Sequence, residues 1–205
     1  MKWNKNTLWG LLGASALALS IGCTPKAQPV SRDVQLGAQR YHTTSSNIVK
    51  TSGSFTNDGK IVVGAVSDLE GSIGAAYSIA TRFKTNAVDT VFIVGDLYEN
   101  EQIRRSPVYP SSRDNVREMV EGVTPFAQLK VPVFLIPGNH EERAVYEKAV
   151  TKLRKEFPHV FDLAGKSADL TGCNIVGLGG YYDARFVPSS GFLLQPRDYT
   201  WASNT

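Results

Sequence analysis

Three apolar runs in this chain each end on an amide or a carboxylate, and that repetition restricts what the chain can fold into. They are "IVVGAVSD" at 61–68, "TVFIVGD" at 90–96 and "VPVFLIPGN" at 131–139. A strand with one wet face alternates apolar and polar residues. Runs as apolar as these are expected to be buried on both faces, as in a sheet covered by helices. The segments between them carry helical spacing. Ile73, Ala76, Tyr77, Ala80 and Phe83 recur after Gly71, and Val116, Met119, Val120 and Val123 recur after Ser111. Asp114, three residues beyond Ser111, fits a capping box, and Pro125 kinks or ends that helix. A third helix is expected from Glu142 to about Glu156. Strand and helix in alternation are the mark of a parallel α/β sheet. "HVFDLA" and "NIVGLGG" then read as two more strands with no long helix between them, where the parallel sheet passes into a hairpin-like region.

Ligands of open α/β sheets bind outside the carboxyl ends of the strands. The three runs reach that edge as "SDLEG", "GDLYEN" and "GNHEE". Asp68, Asp96 and Asn139 each sit at a strand tip, and Glu70, two residues after Asp68, falls on the same side in extended chain. A lone Asp at a strand end is commonly a helix cap or turn former. Three such tips in succession are a different matter. Apart from the imidazole of His140, the donors are all oxygen, and crowded carboxylates repel unless a cation lies among them. The expectation is a site for divalent metal, and for more than one ion.

The chain has 205 residues, enough for one ordinary domain with additions. Residues 1–22 have Lys2 and Lys5 at the front, no acid, and an apolar run from Leu8 to Ile21. That is the build of a secretory signal peptide, and the run is short for a spanning helix. An uncleaved anchor is the alternative. Residues 23–58, rich in Ser, Thr, Gly, Asn and Gln, read as a flexible tether, with His42 as a surface residue, and 59–205 as the folded domain. Loss of residues 1–22 removes two of 22 Lys plus Arg against 19 Asp plus Glu, so the chain is nearly neutral and no nucleic-acid partner is indicated.

Two resemblances extend this reading. "LSIGCT" resembles the lipobox of bacterial lipoproteins, although Leu19 lies one place earlier than usual. It implies lipidation of Cys23 and export to a bacterial membrane. With Thr24 rather than Asp after the cysteine, the outer membrane or cell surface is implied. Cys173, in the apolar "CNIVGLGG", is then expected to be a buried thiol, with a Cys23–Cys173 disulfide as the alternative. Second, the order D-x-E, G-D, G-N-H-E, from Ile61 onward, resembles the calcineurin-like metallophosphoesterases. That family implies a layered sheet sandwich flanked by helices. It also implies hydrolysis of phosphate mono- or diesters, on small molecules or phosphorylated substrates, at two divalent ions (Mn, Fe, Zn or Mg). By position, Asp68 and Glu70 are implied as ligands of the first metal and Asp96 as the carboxylate between both. Asn139 is implied as a ligand of the second metal that also touches phosphate, and His140 as the catalytic residue that protonates the leaving oxygen.

The chain departs from that family twice. Glu70 stands where the family has His: it can still ligate a hard ion such as Mn²⁺ or Mg²⁺, and a lost ligand facing solvent is the alternative. The later His and the final G-H-x-H have no counterpart either, because the only histidines are His42, His140 and His159. The expectation is therefore a domain holding the fold's first half, with loosely bound ions and little turnover. A non-catalytic lipoprotein scaffold is the alternative. The loop carrying Arg104, Arg105, Tyr109 and Arg113, and "YYDARF" at 181–186, lie where they could rim a cleft, but read more simply as surface loops.

Overall fold

The computed structural model describes residues 31–53, 60–100, 114–170, 173–181, 185, 187–188 and 191–194. Four parallel strands form one sheet in the order β4 (Val63–Val66), β5 (Thr90–Val94), β6 (Val133–Ile136) and β7 (Val160–Asp162). Three helices connect them: α1 (Ile73–Thr85), α2 (Asn115–Ala127) and α3 (Arg143–Glu156). The register pairs Val66 with Ile93, Val94 with Ile136 and Leu135 with Asp162, so β4, β5 and β6 finish at one edge.

The two faces of this sheet serve two cores, as period-2 alternation requires. Val91, Ile93, Val133, Leu135 and Val160 pack with Ala76, Ala80, Met119, Val123, Phe126, Ala149 and Leu153 of the helices. Phe92, Phe134, Ile136 and Phe161 face a second sheet instead. Phe92 stacks on Phe134 with centroids 5.0 Å apart, and Phe134 on Phe161 at 5.3 Å. The second sheet runs in the order β1 (Arg32–Leu36), β2 (Gln39–Thr43), β3 (Asn47–Ser52), β8 (Lys166–Asp169) and β9 (Asn174–Gly177). Layers of helix, parallel sheet and mixed sheet result, which is the expected α/β sandwich. The two expected further strands are present as β7 and β9, but they lie in different sheets: the hairpin is made by β9 with β8, a strand the sequence did not announce.

Several expectations are corrected. Residues 32–52 are not a tether. Val34, Tyr41 and Ile48 are each at most 3% exposed and close the core against Phe161 and Leu163. Polar residues alternate with them in sequence, which hid three antiparallel strands in a polar composition. Cys173 is exposed, because it precedes the edge strand β9 and is not inside it. β4 is not covered on both faces: as the sheet's edge it leaves Val63 51% exposed. Tyr77 sits on the helical period but is also exposed. The cap of α2 is Asp114 itself, whose carboxylate accepts from the Arg117 N–H at 3.1 Å, and the helix runs two residues past Pro125. Among the described residues no helix is long and apolar enough to cross a membrane. Residues 1–30, with Cys23, lie outside the described residues, as do 101–113 and most of 182–186.

Candidate active site

Two of the three strands at the shared edge, β4 and β5, run into loops with unusual backbone. Asp68 (φ 56°), Glu70 (φ 44°) and Asp96 (φ 55°) are in the left-handed region, which costs an L-residue roughly 1–2 kcal/mol. Strain of this kind at three acidic residues on one edge points to a functional constraint. Main-chain bonds hold the first two loops together. Asp68 N–H donates to Gly95 O at 3.3 Å, Glu70 N–H to Asp96 O at 2.9 Å and Gly71 N–H to Leu97 O at 3.0 Å.

The third loop is joined to the second through side chains. The Asp96 carboxylate accepts from His140 N–H at 3.1 Å. Asn100, 2% exposed, donates its amide to the His140 carbonyl at 2.7 Å. The Tyr98 hydroxyl accepts from Glu142 N–H at 2.7 Å at the start of α3, and burial pushes its pKa up. Glu141, fully buried, accepts from the N–H groups of Leu97 at 2.7 Å, Asp96 at 3.0 Å and Gly138 at 2.6 Å. Burial holds the Glu141 pKa above the ordinary carboxylate value, against the opposing pull of those three donors. Hydrogen bonds to a charged group are worth about 1.5–3 kcal/mol each.

Gly138 is required by proximity. A Cβ there would lie 2.3 Å from Asp96 Oδ1 and 2.8 Å from Asp96 N. The strand can present Asn139 and His140 beside Asp96 only because the preceding residue has no side chain. The Gly180 N–H donates to Pro137 O at 2.6 Å, bringing the segment after β9 against the same loop.

The edge thus brings together Asp68, Glu70, Asp96, Asn139 and His140, all on three adjacent loops. Asp68 and Glu70 are exposed, while Asp96, Asn139 and His140 are half-buried. The Nδ1 atom of His140 is buried with no hydrogen-bond partner among the described residues. An unmet polar atom costs about 1–3 kcal/mol and calls for a role. The other histidines are elsewhere. His42 pairs with Asp33 at 2.8 Å on the surface. His159 Nε2 lies 2.9 Å from the Ala127 carbonyl, which only accepts, so this nitrogen carries the proton.

The donor set suits a hard divalent ion: two carboxylates and an amide oxygen face one edge, and a third carboxylate stands beside them. Among the described residues no three His, Cys, Asp or Glu side chains converge on one point. Asp96, whose carboxylate is bonded to His140 N–H, is the best-anchored candidate, and water would complete the coordination.

Asn100 and Tyr98 were not singled out by sequence, and Glu141, the last residue of G-N-H-E, was given no role there. Glu141 stands just before a helix, where an acid is ordinarily read as a helix-dipole partner, and only the fold turns it inward.

Against known proteins, a family model described as calcineurin-like phosphoesterase matches residues 61–203. Among solved structures, TT1561 of Thermus thermophilus is similar with a TM-score of 0.53 and 14% identity, over 69% of this chain and 60% of that one. A second has a TM-score of 0.53 and 17% identity, over 67% of this chain and 60% of its own. The chain therefore spans 60% of the length of each. No curated protein matches.

Proposed function

The chain belongs to the calcineurin-like phosphoesterase family, and from that premise we propose that it hydrolyses phosphate mono- or diesters with two divalent ions at the loop edge of the parallel sheet. The observation that carries this reading is the placement of strained Asp68 and Asp96 on one edge, with His140 N–H bonded to Asp96 and Asn139 next to it in the chain.

Asp68 and Glu70 would hold one ion, Asn139 the other, and Asp96 both. Bound there, divalent ions supply positive charge to a phosphoryl group and lower the pKa of water. The chain's own groups do the rest. The Asn139 amide is a donor to a phosphoryl oxygen. The His140 ring delivers a proton to the leaving oxygen. The Asn100 bond to the His140 carbonyl and the Asp96 bond to its N–H hold that residue's main chain from both sides.

The test is hydrolysis of an aryl phosphomonoester and an aryl phosphodiester at millimolar Mn²⁺. A rate that chelator abolishes and that Asp96→Asn lowers by about 100-fold or more supports the proposal. Ion binding without turnover would favour a non-catalytic scaffold, and neither binding nor turnover would sink both readings. Export and lipid anchoring through Cys23 are part of the same proposal. Cys23→Ser should leave the membrane fraction or stay unprocessed, and wild-type behaviour of that variant contradicts lipidation.

A further inference from the structure

We propose that Glu141 is a positioning residue, whose buried carboxylate fixes the main chain of Asp96 and Gly138 so that Asp96 and Asn139 face the sheet edge in ligand geometry. This rests on the metal-dependent reading of that edge.

A carboxylate with no exposed surface is expensive to bury unless its oxygens are satisfied. Among the described residues no cation pairs with Glu141. Its partners are three main-chain N–H groups, and they belong to two loops. Oε2 accepts from Asp96 at 3.0 Å and from Gly138 at 2.6 Å, and Oε1 accepts from Leu97 at 2.7 Å. Gly95 (φ 77°) and Asp96 (φ 55°) are both left-handed. The turn they make aims the successive N–H groups of Asp96 and Leu97 into one concavity, as anion-binding turns of the main chain do. Here the chain's own carboxylate fills it. Glu141 therefore satisfies the donors that the strained turn at Asp96 would otherwise leave unmet, and it ties Gly138 to the same oxygen.

The tie matters because the tolerance is small. A Cβ on Gly138 would come 2.3 Å from Asp96 Oδ1, so the loops touch at the ligand itself. Asn139 follows Gly138 directly. Removing one acceptor at Glu141 releases both candidate ligands at once.

The experiment compares Mn²⁺ affinity and the electron paramagnetic resonance spectrum of bound Mn²⁺ in the purified wild-type chain, Glu141→Gln, Glu141→Asp and Leu153→Ala. Leu153, 1% exposed in the helix-side core, controls for lost stability alone. Gln replaces an acceptor oxygen with an amide that faces a donor. We expect Glu141→Gln to weaken Mn²⁺ binding about 10- to 100-fold, as removal of supports behind metal ligands does, and to change the spectrum. Glu141→Asp should fall between Gln and wild type, and Leu153→Ala should bind as wild type. Wild-type affinity in Glu141→Gln, or an equal loss in Leu153→Ala, overturns the proposal. Should Glu141→Gln not fold, wild-type affinity in Glu141→Asp overturns it. Failure of the wild-type chain to bind Mn²⁺ sinks the metal-dependent reading and this proposal with it. Binding that is unaffected in the variants sinks this proposal alone.

Discussion

The carboxylate of Asp96 accepts a hydrogen bond from the main-chain N–H of His140 at 3.1 Å, across 44 residues of sequence. The residue proposed to bridge the ions thus holds the backbone of the residue proposed to move the proton. The bond uses the His140 main chain, so the ring can be altered without touching it.

His140→Ala should therefore lower kcat by about 10²- to 10⁴-fold, the range for a lost general acid. Mn²⁺ affinity should stay within about twofold of wild type. A parallel loss of affinity, read by calorimetry, would show that the ring supports the ion site and not the proton transfer.

Gly138→Ala tests the close approach of the loops. The new methyl would meet Asp96 Oδ1 and Asp96 N, atoms of a loop already tied down from three sides. A cost of about 3 kcal/mol is expected, at the upper end for overpacking. That is a fall in Tm of roughly 6–12 °C for a chain of this size. An unchanged Tm would mean that the loops can part.

Glu70→Gly should raise stability. Glycine removes the left-handed strain at φ 44°, worth roughly 1–2 kcal/mol, and gives part of it back as chain entropy. A net gain of about 1 kcal/mol would lift Tm by about 2–4 °C. The same variant should weaken Mn²⁺ binding about tenfold if Glu70 serves the first ion. Thermal melts and titrations on one preparation give both answers. A lowered Tm would show that the turn is held by the Glu70 side chain.

Acid sensitivity should trace in part to His159. Burial lowers its pKa from the ordinary 6.5, opposed by its bond to Ala127 O. A depressed native pKa means that the unfolded chain takes up the proton more readily. The contribution is thus complete above about pH 6.5 and is lost as pH falls through the native value. His159→Gln can still donate to Ala127 O but does not titrate. Urea melts at pH 7.5 and pH 5 should show a smaller loss in the variant than in wild type. Equal losses would remove His159 from the acid response.

The parallel half of the fold was legible because its signals are local. Runs such as "TVFIVG" state strand and burial together, and each tip carries its own chemistry. The mixed sheet was not, because its first strands β1 and β2 bury only alternate residues. In "QRYHT" the apolar content is one tyrosine, and its importance lies in contacts with Phe161, far along the chain. The site divides in the same way. Asp68, Asp96, Asn139 and His140 are readable as strand tips. Glu141 is not, because what it does depends on N–H groups of Asp96 and Leu97 that lie 45 and 44 residues upstream.

The central claim is that this edge is an ion site organised around Asp96. Calorimetric titration of Mn²⁺ into wild type and Asp96→Asn tests it most directly. An Asn oxygen can still accept from His140 N–H, so the fold should be retained while the charge is lost. The account predicts saturable binding in wild type and an affinity at least about tenfold lower in the variant, since a ligand should matter no less than its supports. Equal affinity in the two proteins, or no saturable binding in wild type, would contradict it.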